Sequence, residues 1–78
     1  MQPQTLFISL KTYKQGVAMA ALIRQFDDTA DILLHEAKVG DGWSVTAHTC
    51  IPADKTKELR QQIRETGALL TFREVDRP

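Results

Sequence analysis

Three residues of this chain have side chains that could bind a soft metal ion or act as a nucleophile and its base: His35, His48 and Cys50. His48 and Cys50 are two positions apart, so a strand would place both side chains on one face. A zinc site needs more ligands at a recognisable spacing, and a catalytic cysteine needs a base and an orienting group around a pocket. The sequence has neither pattern, so we expect no enzyme activity, no bound metal and no cofactor.

A second candidate site consists of basic residues that recur at three- and four-residue spacings along a predicted helix. Lys57, Arg60 and Arg64 could contact phosphate groups or an acidic protein surface. The alternative is an ordinary solvated helix face, because acidic residues are interleaved with them. The spacing alone favours the solvated face.

Gly16 is the third candidate, because it lies at the entrance to the first predicted helix. A glycine at this position could let a backbone N–H approach a small anionic ligand. The alternative is that Gly16 marks the end of a loop.

The elements that must position these residues follow the order strand, helix, hairpin, helix, strand. This βαββαβ order predicts a ferredoxin-like α+β sandwich, with a four-stranded antiparallel sheet and two helices on one face. The whole chain, residues 1–78, forms one small domain with tails at residues 1–4 and 76–78. The predicted strands are residues 5–10, 31–39, 43–51 and 68–75, and the predicted helices are residues 17–26 and 52–66.

The central hairpin can form in two registers. A three-residue loop pairs Val39 with Trp43 and places Leu33 on the face that the helices cover. A two-residue loop shifts the pairing by one residue, mixes apolar with charged partners and sets His35 opposite His48. We favour the first register because it keeps one face apolar, and it turns His35 away from the other two potential ligands. The order of the strands in the sheet stays open.

The second face of the predicted sheet has no covering element, although it carries apolar side chains. Burying each large apolar side chain would be worth about 1.5–3 kcal/mol. We therefore expect this face to bind protein, most simply a second copy in a homodimer. Val75 shares this face with the predicted interface residues Phe7, Ile32, Leu34, His48, Cys50, Leu69, Thr71 and Arg73.

Composition narrows the class of protein further. Ten basic and ten acidic residues cancel, which argues against a dedicated non-specific nucleic-acid binder. The single cysteine excludes an intramolecular disulfide and favours a reducing cytoplasm. The first residues lack the basic and apolar regions of a signal peptide. The longest largely apolar stretch, residues 15–23, is too short to cross a membrane.

The order of elements resembles ferredoxin-like small domains, including the ACT regulatory modules, and residues 10–23 are similar to their strand–loop–glycine–helix entry around Gly16. The resemblance implies dimerisation through sheets or edges. From the apolar uncovered face of the sheet, and not from the fold, we expect a non-enzymatic regulatory domain that binds protein. One alternative is an ACT-like sensor of a small molecule. Another is a phage- or plasmid-encoded inhibitor of a host protein, of the anti-CRISPR or anti-restriction type, which suits a short chain with an apolar face.

Overall fold

The computed structural model describes residues 1–38 and 40–74. The strands form one antiparallel sheet in the order β2-β3-β1-β4, and both helices pack on the same face of it. This architecture confirms the predicted ferredoxin-like sandwich and settles the strand order. The elements are β1 (Gln2–Leu10), α1 (Tyr13–Phe26), β2 (Asp31–Glu36), β3 (Trp43–Ile51), α2 (Ala53–Glu65) and β4 (Leu69–Glu74).

The hydrophobic core lies between the sheet and the helices. β1 and β3 bury every second side chain because successive residues of a strand point to opposite faces. The helices contribute apolar residues at three- and four-residue spacings. The core is formed mainly by Leu6, Ile8, Met19, Ile23, Val45, Ala47, Ile51, Leu59 and Ile63, each at most 3% exposed.

The first helix begins four residues before the predicted start at residue 17. Thr12 is its N-cap: the Thr12 hydroxyl accepts a hydrogen bond from the Gln15 N–H at 3.1 Å, and the Gln15 side chain accepts one from the Thr12 N–H at 3.1 Å. This reciprocal capping box satisfies backbone donors that the helix itself leaves without partners. The Thr-x-x-Gln spacing was the signal for this start.

Asp27 ends the first helix, as expected, and also ties it to β3. One carboxylate oxygen accepts hydrogen bonds from the Thr29 hydroxyl at 2.6 Å and the Thr29 N–H at 3.0 Å, and the other accepts the Cys50 N–H at 3.0 Å. The Thr29 hydroxyl, followed by the two backbone N–H groups, lowers the pKa of Asp27 against an opposing effect of partial burial.

The second helix begins at Ala53, one position after the predicted start, and Pro52 is its N-cap. This helix ends at Glu65, and Gly67 has a φ of 84°, the left-handed conformation expected of the glycine after a helix. Its narrow buried stripe consists of Thr56, Leu59 and Ile63. Within the described residues, neither helix is long and apolar enough to span a membrane.

The prediction that residues 1–4 form a tail is wrong, because β1 begins at Gln2. Gln4 is 1% exposed and its side-chain oxygen accepts hydrogen bonds from Arg60 Nε at 3.0 Å and Arg60 Nη2 at 2.6 Å. Its amide nitrogen donates to the buried Thr56 hydroxyl at 3.4 Å. These bonds fix β1 against α2. The predicted tail at residues 76–78 lies outside the described residues.

The predicted register of the hairpin is also wrong. Glu36 pairs with Trp43, where the prediction had Val39, so six positions separate β2 from β3 in the chain. The shift is three residues, an odd number, and it therefore turns every side chain of β2 to the opposite face. The end of the loop packs on β1, where a Cβ on Gly42 would lie 2.7 Å from the Leu10 carbonyl oxygen. Val39 itself lies outside the described residues.

Candidate functional site

The face of the sheet opposite the helices, called the open face below, has no covering element within the described part of the chain. The pairing of the strands arranges its side chains in rows that run across the sheet. The central row contains the large apolar residues Leu33 and Phe7, and in strand order it reads Leu33, Thr46, Phe7, Thr71.

Two further rows flank the central row of the open face. The polar row carries one charged residue at each edge of the sheet, and Thr5 and His48 at its centre are hydrogen-bonded at 3.0 Å. The mixed row carries one large apolar residue, Leu69, at the β4 edge. In strand order, the polar row is Asp31, His48, Thr5, Arg73, and the mixed row is His35, Ser44, Ser9, Leu69.

The large apolar side chains of the open face are exposed. Leu69 is 75% exposed, Leu33 61% and Phe7 36%. The Arg73 guanidinium carbon lies 5.8 Å from the centroid of the Phe7 ring, so this side chain leans across the face. The open face therefore combines three large exposed apolar side chains with intervening polar ones.

Most of the predicted interface residues lie on the open face, but Ile32 and Leu34 do not. They pair with Ala47 and Val45 and pack against the core on the helix side, because the register of β2 differs by three residues. The open face is therefore less apolar than expected. Phe7, His48, Cys50, Leu69, Thr71 and Arg73 lie on this face as predicted, and Val75 lies outside the described residues.

Leu33 is a large apolar residue of the open face that the sequence prediction missed. The alternation within β2 indicated which face of this strand is exposed. Leu33 shares one face with Asp31 and His35, and Ile32 shares the other with Leu34. The first group is more polar, and the more polar face of an antiparallel strand is the one expected to face solvent.

The three potential metal ligands share the open face but do not converge. His35 pairs with Ser44, four residues along β3 from His48, a separation of about 13 Å at roughly 3.3 Å per residue. Asp31 is the residue opposite His48. Within residues 1–38 and 40–74, no three metal-ligating side chains form a group that could hold an ion.

The three basic residues of the second helix differ in their surroundings. Arg60 makes contacts within the domain. Its guanidinium donates hydrogen bonds to Gln4 and Glu74, and its guanidinium carbon lies 3.5 Å from the centroid of the Phe72 ring. Lys57 and Arg64 are exposed. Of the three basic residues, only Lys57 and Arg64 are therefore accessible to an external anion, and the predicted cluster of three is reduced to these two.

Gly16 lies inside the first turns of α1 and is buried, which contradicts its prediction as a loop residue. A Cβ at this position would lie 2.5 Å from Leu34 Cδ1. The absence of a side chain therefore lets α1 approach β2 closely. Gly16 thus serves the packing of the helix on the sheet, and its N–H donates a hydrogen bond to the Thr12 carbonyl at 3.2 Å.

A half-open cleft of about 690 Å³ lies between α1 and the turn that joins α2 to β4. Its apolar wall includes Leu10, Met19 and Leu22, and its polar rim includes Lys11 and Asp41. A volume in this range fits a small organic molecule.

Comparisons with known proteins support the fold. No protein-family model matches the sequence, and the search of curated proteins found no match. The C-terminal domain of the MgtC protein from Mycobacterium tuberculosis has a similar structure, with a TM-score of 0.73 and 16% sequence identity over 96% of this chain and 88% of that domain.

Two further structures share the architecture. One is CPII, a nitrogen regulatory PII-like protein from Thiomonas intermedia bound to ADP, AMP and bicarbonate, with a TM-score of 0.59 and 14% identity over 100% of this chain and 97% of that one. The other is a de novo designed protein, with a TM-score of 0.62 and 9% identity over 99% of this chain and 98% of that one. A fold shared by natural and designed proteins does not specify a function, which must be argued from the surface.

Proposed function

We propose that this protein is a small, non-enzymatic regulatory domain that acts by self-association through its open face. The observation that carries the proposal is the exposure of Leu33, Phe7 and Leu69 on one uncovered sheet. Apolar area removed from water stabilises an assembly by about 25 cal/mol per Å². The similar fold of CPII, a nitrogen regulatory PII-like protein, is consistent with a regulatory role. The single cysteine favours action in the cytoplasm.

The size of the domain gives a second argument for association. A chain of 78 residues buries a small core and has a correspondingly small stability. A partner that binds only the folded state adds to this stability by mass action. Self-association would therefore stabilise the fold as well as form the functional unit.

Sedimentation velocity from about 10 μM to about 1 mM tests the proposal, because weak dimers dissociate in this range. We expect a concentration-dependent dimer that Phe7→Lys disrupts and Gln61→Lys, an exposed change on the helix side, leaves intact. Circular dichroism checks that both variants fold. A wild-type monomer at every concentration would contradict the proposal and favour the alternative of an inhibitor whose open face binds a host protein.

The cleft beside α1 favours a second candidate function, a sensor of a small molecule. Its volume, apolar wall and charged rim are features of small-molecule sites. Because CPII was solved with ADP, AMP and bicarbonate, these compounds are suitable first probes, together with amino acids. A rise in melting temperature that Ala18→Trp removes by filling the cleft would support binding there. No shift with any probe would contradict it.

A further inference from the structure

We infer that the open face pairs with a second copy of this chain about a two-fold axis parallel to the strands, so that Asp31 of each copy meets Arg73 of the other. The inference rests on the proposed self-association and adds the identity of the contacts. Four observations carry it: the placement of the charges, the order of the rows, the sizes of the side chains and the extent of the face.

The charges of the open face lie at its two edges. Asp31 is on β2 and Arg73 is on β4, the outermost strands, and both belong to the polar row. Three strand spacings separate them, about 14 Å at roughly 4.8 Å per spacing, which is too far for an ion pair within one chain. Both side chains are exposed, and neither belongs to an ion pair within the described part of the chain.

The order of the rows distinguishes two possible axes. An axis parallel to the strands, running between β3 and β1, lays β2 of one copy over β4 of the other and sets each row on the same row of the partner. Asp31 then faces Arg73 twice in each dimer. An axis perpendicular to the strands exchanges the polar and mixed rows, and Arg73 would face Leu69. A charge buried against an apolar side chain loses its hydration without compensation, so the parallel axis is favoured.

The sizes of the central side chains agree with the same axis. Leu33 of one copy lies over Thr71 of the other, and Phe7 lies over Thr46. Large side chains then meet smaller ones, which lets two sheets interdigitate at their usual separation of about 10 Å. The perpendicular axis would instead set Leu33 on Leu33 and Phe7 on Phe7.

The extent of the face indicates how strong the dimer is. Four strands at about 4.8 Å spacing and six residues at about 3.3 Å each span a plane of about 19 by 20 Å. This area is below the roughly 800 Å² per partner of a standard stable interface. We therefore expect a reversible dimer, in which two ion pairs contribute a measurable share of the affinity.

Charge reversal tests the inference by sedimentation velocity. Asp31→Arg and Arg73→Asp each replace two attractions with two repulsions, and we expect each variant alone to dimerise at least about tenfold more weakly than wild type. An equimolar mixture of the two variants restores both attractions, and we expect its affinity to return to within about threefold of wild type. Salt at about 1 M should reduce these differences, because the Debye length falls to about 3 Å.

Glu65→Arg and Lys14→Asp are the matched controls, since both residues are exposed on the helices. We expect these variants, alone or mixed, to dimerise as wild type does. If Phe7→Lys abolishes the dimer but the charge reversals change nothing, or the mixture fails to recover, the orientation is overturned while the open face stands. If the wild type stays monomeric up to about 1 mM, the proposed self-association itself fails.

Discussion

Replacing Leu34 with alanine should destabilise the protein by about 2 kcal/mol, whereas the same change at its neighbour Leu33 should stay within about 0.5 kcal/mol. Leu34 is partly buried against the core and contacts α1 at Gly16. A fully buried leucine loses about 2–5 kcal/mol on truncation, so partial burial places Leu34 at the lower end. Leu33 is 61% exposed on the opposite face and loses little in the monomer.

Urea unfolding followed by circular dichroism measures both free energies of unfolding. The protein should be kept at about 5 μM, where dimerisation through Leu33 contributes least. The two residues are adjacent and chemically identical, so each is the control for the other. The register with a three-residue loop requires the reverse order of the two costs. A larger loss for Leu33→Ala than for Leu34→Ala would therefore refute the register described above.

Gly16 extends the same test to a double-mutant cycle. Gly16→Ala brings a methyl group against Leu34 Cδ1, although alanine favours a helix over glycine by about 1 kcal/mol. In the background of Leu34→Ala the obstacle is gone, and only the helix preference remains. We expect Gly16→Ala to be more favourable in that background by about 1 kcal/mol. Strictly additive effects would show that the two positions do not touch.

Three further predictions concern the local contacts of the fold. The pKa of Asp27 is lowered in the folded state, so its carboxylate stabilises the fold above the ordinary pKa of aspartate, about 3.9. This contribution is lost as the pH falls through the lower pKa of the folded state. The difference in free energy of unfolding between wild type and Asp27→Ala, measured with urea, should therefore be larger at pH near 6 than at pH near 3. Arg60→Met should cost about 1–2 kcal/mol in the same assay because it leaves the buried Gln4 oxygen without its donors, whereas the exposed Lys57→Met should cost less than about 0.5 kcal/mol. Thr12→Ala should lower stability by about 1 kcal/mol by removing the capping box, and Thr12→Ser should retain most of it in thermal melts followed by circular dichroism.

Features fixed by local signals were predicted well from the sequence. Gly67 ends the second helix because a glycine adopts the left-handed conformation without steric cost. Asp27 ends the first helix at the expected place. Alternation alone assigned Leu69, Thr71 and Arg73 of β4 to the open face.

Contacts between distant segments were predicted poorly. In the sequence, Arg60 is one of three similar cations on a helix. In the structure it donates a hydrogen bond to Gln4, which lies near the other end of the chain. Nothing near residue 60 encodes that partner. Likewise, the length of the loop after β2 depends on the end of β1, against which Gly42 packs.

The order of the elements, the ends of the helices and the alternation within each strand follow from the amino-acid sequence alone, because these features depend on residues a few positions apart. The face of β2 that meets the helices is set by contacts between segments distant in the chain. That choice depends on the close approach of Leu34 to Gly16, and a shift of three residues reverses it without changing any local preference. Leu33 consequently lies on the open face and Leu34 in the core, and the proposed interface follows from that exchange.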